Sequence, residues 1–151
     1  MHPLFKILHL TGVVLWVGGM FFAWMCLRPV AALQLAPPAR LQLWAGVFAR
    51  FFPWVWVSVA AILLSGMWTL LTVGFKQAPP FWHLMLTLGW LMAAIFVYVF
   101  ALPYGQLKQA VAAQNWPAGG QALGRIRQLV GVNLLLGLAT IAVATLGRLL
   151  A

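Results

Sequence analysis

Acidic side chains are missing from this sequence: its 151 residues include no aspartate and no glutamate. A carboxylate general base, a proton relay through aspartate or glutamate and an oxygen-rich cage for Ca²⁺ or Mg²⁺ are therefore excluded. Cys26 is the only cysteine, which excludes an internal disulfide. A metal site must therefore use histidine, methionine, cysteine or main-chain groups, a donor set that favours haem iron, copper or zinc.

Charge is scarce as well, and it has one sign. Charged residues make up 6% of the chain, and all nine are lysine or arginine, for a net charge of +9. They form neither a basic run nor a groove-reading motif, so we expect no nucleic-acid partner. We expect membrane lipids as partners instead, because each basic residue near an anionic headgroup surface contributes about 1 kcal/mol.

Long apolar segments dominate the sequence. Hydrophobic residues make up 65% of the chain, and the mean hydropathy is +1.02. About 20 apolar residues suffice to cross a bilayer. Four segments meet this requirement, at about residues 4–27, 51–75, 81–103 and 129–146. We predict an all-α integral membrane protein, an antiparallel four-helix transmembrane bundle that forms one domain over residues 1–151.

The basic residues predict the orientation of the bundle. The first and third loops, with their flanks, hold six of the nine, whereas the opposite side holds Lys6, Lys76 and Arg148. The positive-inside rule then predicts cytoplasmic first and third loops and periplasmic termini, in a bacterial inner membrane. The first span is expected to stop at Arg28-Pro29. Helical extensions are expected to begin at Pro37-Pro38 and at Pro117, because proline is well tolerated in a first helical turn.

Two histidines are the main functional candidates. His9 lies in the first span and His83 in the third, at similar predicted depth, and ionisable groups inside a bilayer are costly. We predict a b-type haem held between these helices, with both histidines as axial ligands. Gly12 and Gly19 would leave room for the porphyrin ring, and Trp82 would pack beside it. The haem would serve electron transfer or a haem-linked oxidation, with a quinone or another redox partner. The alternative is two unrelated histidines, each bonded to a main-chain carbonyl or a hydroxyl.

Copper is the second hypothesis. Imidazole and thioether ligands suit Cu(I), and His9, His83, Met67 and Met85 would form one soft site. The alternative for the methionines is core packing, for which methionine is well suited.

Two further possibilities stay open at this point. Met20, Met25 and Cys26 would form a second soft set near the other end of the first helix, and so mark a copper route through the membrane. The third hypothesis is a cofactor-free membrane assembly subunit whose basic cytoplasmic face binds lipid or an acidic partner. Small-residue helix faces and the lone cysteine permit a homodimer without requiring one.

Short motifs carry a resemblance to a known family. The pair LH at 8–9 and the run WVGG at 16–19 resemble the opening helix of the CopD-domain membrane proteins. The runs FARF at 48–51 and LSG at 64–66 are similar to that family's second helix. The resemblance covers nearly the whole chain, and it implies copper resistance or uptake.

The chain is also similar to the HemJ-type protoporphyrinogen oxidases, four-helix proteins that bind haem b. That resemblance implies His9 and His83 as the haem ligands. In those enzymes a lysine follows the third-helix histidine by two residues, and an acidic residue begins the fourth helix. The corresponding residues here are Met85 and, in the latter region, Asn133. Both departures argue against protoporphyrinogen oxidation, and an oxidoreductase activity stays open.

Overall fold

The described part of the chain, residues 2–150 of a computed structural model, is helical and contains no strand. Its elements are α1 (Pro3–Phe22), a π-helical turn (Ala23–Leu27), α2 (Arg28–Gln34), α3 (Pro37–Val73), α4 (Pro80–Ala101), α5 (Pro103–Ala112) and α6 (Trp116–Leu150). The predicted all-α fold class is confirmed.

Four helical segments are long and apolar enough to cross a membrane. They are Pro3–Gln34, Pro37–Val73, Pro80–Ala112 and Trp116–Leu149. The shortest has 32 residues, and at about 1.5 Å per residue it exceeds the roughly 30 Å hydrocarbon core. The segments therefore extend beyond the bilayer, and two of them begin at Pro37 and at Trp116-Pro117, as predicted. The bounds of the spans themselves stay a prediction.

The helix of the first segment continues past Arg28-Pro29, where the membrane span is expected to stop, and that span bound stays a prediction. The Arg28 N–H bonds to the carbonyl of Ala23, five residues back, and the helix continues to Gln34. Proline lacks an N–H, and its ring crowds the carbonyl four residues before it. The wider π-helical turn accommodates Pro29 and lets the helix continue.

The four segments pack together as a bundle. α1 packs on α3, α3 on α4, both α4 and α5 on α6, and α6 on α1, and α3 also contacts α6. α1 and α4 do not pack closely on each other. We call the end of the bundle that holds residues 3 and 148 and the turn 74–79 the terminal end. The opposite end, with residues 35–36 and 113–115, is the distal end.

Aromatic side chains fill the middle of the bundle between these ends. The rings of Phe48 and Phe52 stack at 4.9 Å, and Tyr104 meets Phe52 edge-on at 4.9 Å. Phe96 joins Phe52 at 5.5 Å and Trp16 at 6.2 Å, so the contacts form one continuous chain of rings. All five residues are at most 5% exposed. Each such pair adds about 0.5–1.5 kcal/mol beyond the burial of its area, so this aromatic layer holds α1, α3, α4 and α5 together in the middle of the bundle.

Candidate metal and cofactor site

A cavity of about 530 Å³ opens at the terminal end, between α1, α3, α4 and α6. Lys6 and Arg148 lie at its mouth, and Trp16 and Met92 form its deep end. The wall between them is mainly apolar. The volume falls within the range of about 300–1,000 Å³ that is typical of pockets for small organic ligands.

His9 lines this cavity, and its hydrogen bond defines which ring nitrogen is free. Nδ1 lies 2.8 Å from the Ser65 hydroxyl oxygen. That hydroxyl also lies within hydrogen-bond distance of the carbonyls of Ala61 and Ile62. Since it has one proton, we assign that proton to a carbonyl, and Ser65 Oγ accepts the Nδ1–H of His9. The Nε2 lone pair is then free, which is the form of imidazole that binds a metal.

Glycines shape the walls beside this imidazole. A Cβ added at Gly66 would lie 3.7 Å from Cε1 of His9, so Gly66 leaves the wall open next to the ring. At the deep end, a Cβ at Gly137 would come within 2.9 Å of Val17 and 3.3 Å of Met92. Gly137 therefore allows α6 to approach α1 and α4 closely, and this approach closes the cavity floor.

His83 lies on a different surface. Trp82 and Met85, its near neighbours on α4, line the cavity, but His83 does not. Its Nε2–H donates to the carbonyl of Phe75 in the α3–α4 connection, at 3.0 Å. The structure thus does not bring the two histidines to one site. The alternative of two unrelated histidines describes such bonds: His9 is bonded to a hydroxyl and His83 to a main-chain carbonyl. Joint haem ligation stays a prediction, and it requires His83 to leave that carbonyl or to use Nδ1.

The other predicted cofactor residues divide between two places. Gly12 lies in the contact between α1 and α3, where an added Cβ would be 3.0 Å from Ile62. Gly19 packs against the ring of Phe51 in the same way. Neither glycine lines the cavity, so both serve close helix packing, whereas Trp82 faces the cavity as predicted.

The methionines divide similarly. Met85 lines the cavity and Met67 does not. Met92 also lines the cavity at its deep end and is 4% exposed. The sequence analysis did not identify it, although its spacing of seven residues from Met85 places both on one helix face. In the second soft set, Met20 is 3% exposed whereas Met25 is 55% exposed, so these two side chains do not converge.

The remaining donors do not complete a nitrogen- or oxygen-rich centre. Within residues 2–150 no group of three or more histidine, cysteine or acidic residues is placed to hold a metal ion. Beside the imidazole of His9, the thioethers of Met85 and Met92 are soft donors on this cavity. Asn133, the residue near the acidic position of the HemJ-type enzymes, is buried and donates from Nδ2 to the Met92 carbonyl at 3.2 Å. That bond links α6 to α4 directly beneath the cavity.

Comparison with known proteins identifies one family. The family model described as Copper resistance protein D matches residues 45–146, more than half of the chain. No curated protein and no solved structure matches the chain. The matching description refers to copper and not to haem, and the relationship to the HemJ-type enzymes stays a resemblance.

Proposed function

The chain belongs to the copper resistance protein D family, and on this premise we propose that it is a multi-pass membrane protein that binds Cu(I). One observation carries the proposal: His9 and Met85 line the same cavity. The tautomer assigned to His9 leaves the lone pair of its Nε2 available to a metal. Imidazole and thioether are ligands that Cu(I) accepts, and harder cations prefer the carboxylates that this chain lacks.

The charges at the mouth do not prevent a cation from binding. Lys6 and Arg148 lie there, and both are exposed, so solvent and salt screen their repulsion before it reaches an ion at His9. The preference for Cu(I) over Cu²⁺ or Zn²⁺ therefore comes from the imidazole and thioether donors.

The aromatic layer supports binding rather than conduction. Trp16 forms part of the cavity floor, and the ring contacts continue from it to Tyr104 without a gap. An ion that enters at the terminal end therefore meets buried aromatic rings at the cavity floor.

With six of the nine basic residues on the opposite side, the proposal places the termini in the periplasm of a bacterial inner membrane and copper entry from that side.

Haem b is the second candidate, favoured by the size and charge of the same cavity. About 530 Å³ far exceeds the room that a single ion needs, and Lys6 and Arg148 at the mouth suit propionate groups. His9 would hold the iron of such a haem, and Trp82 would contact it from the cavity wall. When bound, such a haem would supply one-electron redox chemistry, to be exchanged with a quinone or a redox protein.

One preparation distinguishes the candidates. The protein is expressed with ample haem and purified in mild detergent. It is then titrated anaerobically with Cu(I) against a chromogenic chelator, and a dithionite-reduced minus air-oxidised spectrum is recorded. We expect near-stoichiometric Cu(I) binding and a spectrum without b-type bands. Strong b-type bands without Cu(I) binding would overturn the copper proposal and support haem b as the ligand. A folded protein that binds neither would overturn both candidates and leave the assembly subunit.

A further inference from the structure

A second cavity, of about 320 Å³, lies at the distal end between α2, α3 and α6. Three arginines from three different helices line it: Arg28 on α2, Arg40 on α3 and Arg127 on α6. The chain contains no side-chain carboxylate that could neutralise them. Three guanidinium groups around one cavity without a counter-charge define a site for an anionic ligand.

Arg40 is held in place and is incompletely bonded. One of its terminal nitrogens donates to the carbonyls of Leu35 and Ala32, at 3.0 and 3.3 Å. Its Nε is buried and has no hydrogen-bond partner. A buried charged donor without a partner is unfavourable, and Arg40 lines the cavity, so an anion bound there would offset its positive charge.

The π-helical turn positions the second arginine. It carries Trp24, whose ring is seated so closely against Gly131 of α6 that a Cβ there would be 2.9 Å away. The Arg28 guanidinium lies 4.6 Å from the centre of that ring. The stacking fixes the direction of Arg28 and leaves the edge of its guanidinium free for hydrogen bonds. Single π-helical turns of this kind are frequent at functional sites.

The facing wall of α6 keeps the cavity open. Gly120 and Gly124 line it, four residues apart on the face that also carries Arg127. A Cβ added at either glycine would meet nothing within 4 Å. The space beside the arginines is therefore real room for a ligand, and glycine is not needed there for helix packing.

We propose that this distal cavity binds a phosphate group. A carboxylate has two oxygens, and one guanidinium fork satisfies it, whereas a phosphate can accept hydrogen bonds from several forks at once. The phosphate would belong either to a phospholipid headgroup or to a soluble phosphate compound. The inference is independent of copper or haem at the terminal end, because the aromatic layer separates the two cavities.

The test uses delipidated full-length protein in detergent and two kinds of probe. Phosphatidic acid is compared with diacylglycerol, which lacks the phosphate, by native mass spectrometry. Sodium phosphate is compared with sodium acetate at equal ionic strength by calorimetry. We expect retention of phosphatidic acid and not of diacylglycerol. Additional binding of inorganic phosphate would identify the phosphate alone as the ligand, and its absence would identify the lipid.

Matched variants locate the site. Arg127→Gln should weaken the binding of phosphatidic acid about tenfold, which is the effect of losing one charge-assisted hydrogen bond. Arg125→Gln removes an equal charge from an exposed residue of the same helix outside the cavity and should change binding less than about twofold. Gly124→Leu should abolish binding by filling the cavity, and it keeps the helix intact because leucine is a better helix former.

Three results would overturn the proposal. One is the absence of binding by phosphatidic acid and by phosphate alike. Another is acetate binding as strong as that of phosphate. The last is equal binding of phosphatidic acid by Arg127→Gln, Gly124→Leu and Arg125→Gln proteins that circular dichroism shows to be folded.

Discussion

The two ends of this bundle offer ligands opposite kinds of chemistry. At the terminal end, a cavity of about 530 Å³ presents the lone pair of an imidazole beside thioether sulfur. At the distal end, a cavity of about 320 Å³ presents three guanidinium groups, and the chain has no side-chain carboxylate that could neutralise them. A chain without carboxylates thus offers electron-pair donors to a soft cation at one end and hydrogen-bond donors to an anion at the other.

The aromatic layer is what keeps these two functions apart. Trp16 lines the terminal cavity and Phe48 the distal one, and buried rings connect them without a gap. Substitutions at one end should therefore leave binding at the other end unchanged. Experiments can test whether binding at the two ends is independent.

The largest effect is expected from His9→Ala. Loss of the only imidazole on the terminal cavity should lower Cu(I) affinity at least about a hundredfold, roughly 2.7 kcal/mol. His83→Ala is the matched control, because His83 is bonded to the Phe75 carbonyl and does not line the cavity. Chelator competition measures both variants. A larger loss in His83→Ala than in His9→Ala would show that the wrong histidine has been assigned.

Gly131→Ala should damage the distal end through packing. The added Cβ would lie 2.9–3.0 Å from the Trp24 ring, and such overpacking costs about 1–3 kcal/mol. Gly124→Ala on the same helix meets no neighbour and should be neutral or stabilising by up to about 1 kcal/mol. Thermal unfolding in detergent separates the two, and Cu(I) binding should survive in both. Equal stability of the two variants would contradict the assigned contact.

Ser65→Ala should weaken Cu(I) binding about tenfold, the lower end of the range for losing a partner that orients a metal-binding histidine. The hydroxyl of Ser65 accepts the Nδ1–H of His9, so its loss frees the ring to rotate. Thr140→Val is the control, since Thr140 also lines the cavity but bonds only to the Leu136 carbonyl. If both variants lost the same affinity, the orientation of His9 would not be the cause.

The smallest effect is expected from Asn133→Leu. Asn133 donates to the Met92 carbonyl, while its own Oδ1 is buried without a partner. The free energy lost with the hydrogen bond is nearly offset by the removal of the buried unpaired oxygen. The free energy of unfolding should therefore change by less than about 1 kcal/mol. Binding at both ends should be unchanged, as chelator competition and calorimetry would show. A joint loss of both binding activities would mean that the ends are coupled through this residue.

Local signals in the sequence were enough to predict the helices. Apolar length predicts the four spans, and the prolines at 37 and 117 predict the starts of two extended helices, because both are properties of a single segment. The continuation of the first helix past Pro29 depends on a π-helical turn, for which the sequence carries no reliable signal.

Sequence alone predicted the candidate sites less completely. His9, Trp82 and Met85 were identified and lie on one cavity. The orientation of His83 depends on the geometry of the turn before α4, because the Phe75 carbonyl is its partner. The three arginines of the distal cavity are far apart in the sequence and converge only through helix packing.

The central claim is that one metal ion binds His9 together with the thioether of Met85. X-ray absorption at the copper edge of the Cu(I)-loaded protein tests it directly. We predict a first coordination shell with both nitrogen and sulfur, from which sulfur is lost in Met85→Leu and retained in Met67→Leu. A shell without sulfur in the unmodified protein, or one unchanged in Met85→Leu, would contradict the account.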